Sequence, residues 1–97
     1  MILVAQSVAA PPPLEQYQYP GARVVGTGPT WRDLQTTEGL TKVVDFYKAK
    51  FPKPQIITSD GAQFDDTGPD TGGLTVSVIK VKDGTEIILR RPEKDAD

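Results

Sequence analysis

The strongest periodicity in the chain lies between residues 37 and 51. Leu40, Val43, Val44, Tyr47 and Phe51 recur at the three- and four-residue spacing of one helix face, with Phe46 beside them. Lys42, Asp45, Lys48 and Ala49 lie opposite or to the side. The spacing predicts a helix over 37–51. Thr36 or Thr37 is placed to cap it, Glu38 suits the positive end, and Lys48 and Lys50 suit the other. Gly39 weakens the first turn, and Pro52 and Pro54 prevent continuation.

Apolar positions outside this segment follow strand-like patterns. Pro20-Gly21 suits the centre of a type II turn, because proline presets φ and glycine accepts a positive φ after it. A short strand over 22–25 follows and ends at the Gly26–Pro29 stretch "GTGP". Residues 30–36 form a second candidate strand, and "QIITS" at 55–59 a third. Residues 60–73, "DGAQFDDTGPDTGG", read as a loop with at most a short strand near Phe64. "LTVSVIKVK" at 74–82 is rich in β-branched residues, and Asp83-Gly84 signals a hairpin that returns over 85–91.

With Asp83 and Gly84 as the turn, Ile79 is expected opposite Ile88, Val81 opposite Glu86 and Val78 opposite Leu89. One sheet face then carries Leu74, Val76, Val78, Ile87 and Leu89 and seats the helix. The other carries Ile79, Val81 and Ile88 among Ser77, Glu86 and Arg90. The expected fold is α+β: an antiparallel sheet of about four or five strands with one helix packed on one face. Tyr17 and Tyr19, two apart in an extended segment, are expected to cover the sheet or the helix edge.

Composition narrows the chemistry. Ninety-seven residues make one small domain, and 37% hydrophobic with 25% charged residues is ordinary for a globular chain. The net charge is −2 with no basic cluster, so nucleic acid is not an expected partner. The chain has no Cys and no His, which excludes disulfides, thiol catalysis and a Ser-His-Asp system within it. It also has no Asn, hence no N-glycosylation acceptor. No stretch approaches the length of a membrane span.

Candidate sites remain few. Asp60, Asp65, Asp66 and Asp70 could offer oxygens to calcium, but their spacing does not follow the EF-hand pattern and the closing Glu is missing. A solvated loop is the simpler reading, so no metal and no cofactor is expected. Glu38 and Asp45 share a helix rather than facing across a cleft. Gly26-Thr27-Gly28 lacks the third glycine of a dinucleotide loop and runs into Pro29, so it reads as a turn. The apolar trio Ile79, Val81 and Ile88 is the candidate partner-binding patch, for another protein or a second copy.

The leader "MILVAQSVAAPPP" joins a short apolar run to a small-x-small pattern at Ser7-Val8-Ala9 and a proline block. It reads as a signal-peptide remnant or a disordered Pro-rich leader over 1–13. A single domain over 14–92 and a polar tail over 93–97 complete the expected organisation. Three segments, "YPGARVV" (19–25), "VVDFYKAKFP" (43–52) and "GTEIIL" (84–89), resemble a group of small bacterial exported or lipoprotein-like domains of uncharacterised function. The resemblance implies an α+β fold and an envelope location, with no catalytic residue to carry over. This chain departs from it in the Asp/Gly-rich loop and in having no lipid-attachment Cys. The expected function is therefore a non-enzymatic interaction or accessory domain, periplasmic or secreted. The alternatives are a small-ligand or calcium-binding protein using the 60–73 loop, and an enzyme with a carboxylate-based site.

Overall fold

A computed structural model describes residues 13–51, 56–66 and 73–92. A 3-10 turn at Leu14–Tyr17 leads into strands β1 (Arg23–Thr27) and β2 (Trp31–Thr36). The helix α1 (Leu40–Lys50) follows, then β3 (Ile56–Ile57), β4 (Gly61–Asp66), β5 (Leu74–Val81) and β6 (Gly84–Arg90). All neighbours pair antiparallel in the order β1-β2-β6-β5-β4-β3. The result is an α+β fold with α1 across one face of a six-stranded sheet.

The expected four or five strands thus become six. The correction comes from β4, whose Asp- and Gly-rich sequence reads as loop. Its residues pair one for one with β5, from Gly61 opposite Ile79 to Asp66 opposite Leu74. Ala62 and Phe64 alternate inward and are buried, so tertiary pairing outweighs weak local preference.

Face assignment follows from strand alternation. Leu34, Leu74, Val76, Val78, Ile87 and Leu89 point to the helix side and are buried, with Val43, Val44, Tyr47 and Phe51 above them. The expected helix face and sheet face therefore meet. The hairpin register differs: Val81 pairs Gly84, Ile79 pairs Glu86 and Ser77 pairs Ile88. Lys82 and Asp83 are the turn, in place of Asp83 and Gly84. A slip of two preserves which face each residue occupies.

Gly84 explains that slip. Its φ is +151°, and a Cβ there would collide with the Thr36 carbonyl oxygen of β2. The glycine serves close strand approach rather than the turn. Thr85 beside it is buried and donates from Oγ1 to the Glu38 carbonyl at 2.9 Å. This ties β6 to the corner between β2 and α1. The corner also corrects the helix start. Thr36 Oγ1 accepts from the Glu38 N–H at 3.2 Å, so it serves the turn and not the helix. Gly39 stands at the N-cap without a side-chain cap, and α1 begins three residues later than expected, at Leu40.

Residues 14–22 complete the layer over the sheet. The Ala22 N–H donates to the Tyr19 carbonyl at 3.1 Å, and Gly21 has φ +82°, as a type II turn requires. Tyr19 is buried edge-on against Phe46, with ring centroids 5.1 Å apart. Tyr17 packs beside Phe51, and its carbonyl accepts a 2.5 Å hydrogen bond from the buried Tyr47 hydroxyl. Burial pushes the Tyr47 phenol well above its usual range, so it is a permanent donor.

Replacing Tyr47 by Phe leaves the Tyr17 carbonyl without that donor. The expected cost is about 1 kcal/mol, read as a lower urea midpoint at unchanged slope.

Candidate functional site

The outer face, opposite α1, is where the described residues leave apolar surface uncovered. Alternation places Trp31, Asp33 and Gln35 of β2, Glu86, Ile88 and Arg90 of β6, and Thr75, Ser77, Ile79 and Val81 of β5 on it. Trp31 is 38% exposed, Ile79 39% and Ile56 of the short edge strand 54%. Ile88 and Val81 are half-buried. The three expected patch residues share this face but are not adjoining: Glu86 stands opposite Ile79, and Ser77 opposite Ile88.

Trp31 supplies the missing continuity. It pairs with Arg90, which makes it a diagonal neighbour of Ile88. Ile88 in turn is diagonal to Ile79. Diagonal cross-strand neighbours lie ~7–8 Å apart, within reach of large side chains. Trp31, Ile88 and Ile79 therefore fall on one diagonal line of positions across β2, β6 and β5, with the indole itself turned from that line toward β1. A hollow of about 300 Å³ adjoins its Ile79 end, beside Ile56, Gly61 and Ser77. Val81 lies beyond Ile79 on β5 and lines a separate hollow of about 400 Å³ with Arg23, Gln35 and Lys82.

The "GTG" segment at the end of β1 and the turn after it explains how Trp31 is held. A Cβ at Gly28 would overlap the indole Nε1, and one at Gly26 would come within 3.2 Å of the six-membered ring. The glycines are the floor on which the indole lies. Reading them only as a turn misses this, because the contact crosses between strands.

Two carboxyls flank the diagonal. Glu86 shares a hydrogen bond with Asp33, which raises its pKa above the ordinary carboxyl range, and partial burial and the Asp33 charge add to the rise. Asp33 Oδ1 is buried without a hydrogen-bond donor. A proton on Glu86 is what allows the two carboxyls to bond. Neither has a lysine or arginine at salt-bridge distance among the described residues, where the ion pair is Lys42 with Glu38 at 3.1 Å on the helix side. Such a pair on an open sheet lacks the enclosed cleft that acid–base chemistry on a substrate uses.

The acidic candidates are dispersed. Asp60 precedes β4, and Asp65 lies near its end, where it accepts from Gln63 Nε2 at 3.3 Å. Five residues of extended chain separate their backbones by about 17 Å. Asp66 belongs to β4 through its backbone, and Asp70 lies outside the described residues, as do residues 1–12 of the 1–13 leader and the 93–97 tail. Among the described residues no three acidic side chains gather as a metal site. No described helix is long and apolar enough to cross a membrane. Comparison with protein-family models, curated proteins and solved structures finds no match.

Trp31 is the sole tryptophan, so its emission reports the outer face directly. Gly28→Ala is expected to lift the indole and shift that emission to the red while cooperative unfolding persists.

The carboxyl pair makes stability depend on pH. Because Glu86 is raised above its ordinary value near 4.5, the shared proton stabilises the fold fully below that value. The contribution is lost as pH rises through the raised value. Glu86→Gln keeps a neutral donor toward Asp33. The urea midpoint of the natural chain, relative to the variant, is therefore expected to fall as pH rises from about 4.5 through the raised value.

Proposed function

We propose that this chain is a non-enzymatic protein-interaction domain whose docking surface is the outer face of the sheet. The observation that carries this reading is the set of apolar side chains Trp31, Ile88 and Ile79 on the face opposite α1, with the indole held flat on two glycines. A sheet face with solvent on one side normally reads as polar alternation. Here a large aromatic and two isoleucines run obliquely through that polar field. An aromatic anchor fixed before binding costs little ordering entropy on docking, which favours use as a contact point.

The likeness of three segments to bacterial exported domains, together with the apolar and small-residue leader, supports an extracytoplasmic setting, periplasmic or secreted, for this work. The residues in those segments have structural tasks: Gly21 makes a turn, Tyr47 ties the helix down, and Gly84 with Thr85 fixes the β2–α1 corner. They would keep the domain folded while the outer face meets its partner.

A photoreactive side chain at Ile79 tests the reading in the native cell. It is expected to give a discrete protein adduct that disappears with Ile88→Lys and that the same group at Ala49, on the exposed side of α1, does not give. Equal adducts from both positions, or survival of the Ile79 adduct in the Ile88→Lys background, would sink it. Far-UV circular dichroism of the variant confirms that the domain still folds.

A further inference from the structure

The apolar diagonal divides the outer face by charge. On one side of it lies Arg90, directly opposite Trp31, with Thr75 and Ser77 as its neutral neighbours on β5. On the other lie Asp33, level with Ile88 on β2, and Glu86, opposite Ile79. Both sides are unmatched among the described residues. The crowded carboxyls have no cation at salt-bridge distance among the described residues, and Arg90 has no carboxylate there. Arg23, the other arginine on this face, turns instead to Gln35 at 3.4 Å. An apolar line with opposite charges on its two sides has a particular property. Rotation by half a turn about that line lays the face on a copy of itself with the charges exchanged.

We infer that the occupant of this face is a second copy of the same chain, packed face to face about a two-fold axis that runs along Trp31, Ile88 and Ile79. The inference rests on the reading of the face as a docking surface and adds the identity of the partner. About this axis Ile88 and Ile79 each meet their own counterparts, while the indole, lying over Gly26 and Gly28, flanks the axis. Strands ~4.8 Å apart and outward residues ~6.8 Å apart along each strand fix where the rest falls. Arg90 of one copy comes to lie over Asp33 of the other, within about 3 Å in projection on that grid, and the reverse contact forms at the same time. The strands of the two sheets then cross at a steep angle, closer to the orthogonal than to the aligned class of sheet packing.

Area allows the same occupant. Six strands give a face about 24 Å wide, and the outward positions of β5 and β6 extend it about 20 Å along the strands. β3 contributes only two residues and β1 five, so two such faces come to less than about 1,000 Å² in projection, at the lower limit of specific interfaces.

The test uses the purified full-length chain. Sedimentation is expected to show a monomer–dimer equilibrium, with Trp31 emission moving to the blue as the dimer forms. Arg90→Glu and Asp33→Lys, each alone, place like charges in both contacts and are expected to weaken association about tenfold or more. Mixing the two variants restores it. In the mixed pair one contact joins the two substituted side chains with their charges reversed, and the other is the natural Arg90–Asp33 contact. Asp33→Asn replaces Asp33→Lys should the latter fail to fold, and removes the attraction from both contacts. A natural chain that stays monomeric at ~1 mM, single variants that associate like it, or a mixture no stronger than its parts would overturn the inference. A monomer whose Ile79 adduct is to a different protein, still lost with Ile88→Lys, removes the second copy and leaves the docking surface standing. Absence of any adduct removes both.

Discussion

The pairing of β6 with β2 holds the domain together. Without it the molecule would be two pieces: a β1–β2 hairpin and a β3–β6 meander, joined by a helix. With it, Ile87 and Leu89 of β6 stand beside Leu34 of β2 in one continuous floor beneath α1. The close approach depends on the missing side chain of Gly84, and the Thr85 hydroxyl secures the same junction from the other side. Because β6 is central, its two faces serve two purposes. Thr85, Ile87 and Leu89 are fully buried beneath the covering layer, while Glu86, Ile88 and Arg90 form the middle of the outer face. Each outward residue thus alternates with a buried one that anchors the backbone between them.

Glycine has two different uses in this sheet. Gly21 supplies a backbone conformation, whereas Gly26 and Gly28 supply space for an indole. The second use matters more for function. A tryptophan on an open sheet would ordinarily sample several orientations, and the two glycines leave room for one in which the ring lies flat. The carboxyl pair nearby is the opposite kind of feature, a local conflict that a proton or a cation relieves.

Much of the core is legible in the sequence because it depends on periodicity alone. Val43, Val44 and Tyr47 announce their helix face, and Leu74, Val76 and Val78 announce their sheet face even when the register is misplaced by two. What cannot be read depends on partners distant in the chain. Nothing local in "GAQFDD" signals a strand as long as β4, since β5 supplies its hydrogen bonds. Nothing local marks Asp33 and Glu86 as neighbours. Gly28 stands only three residues from Trp31, but a glycine in a turn reads as backbone freedom, and the placed indole shows that it supplies space. Alternation puts Ile79, Val81 and Ile88 on the correct face, but their contiguity relies on the wrong register, and the pattern gives Trp31 no part in the patch.

The central position of β6 also bears on how the chain acquires its shape. Thr85 reaches back 47 residues to hold the carbonyl of Glu38. The sheet's middle strand is the last to be synthesised among the six, so the first hairpin and the helix leave the ribosome before the strand that unites them. Local turns can form early, but closure must wait for a long loop to be spanned, which makes the rate-limiting encounter a non-local one. During that interval Leu34 and the apolar face of α1 have no completed floor to cover them. A nascent chain of this design is most exposed to misassociation just before its final strand arrives.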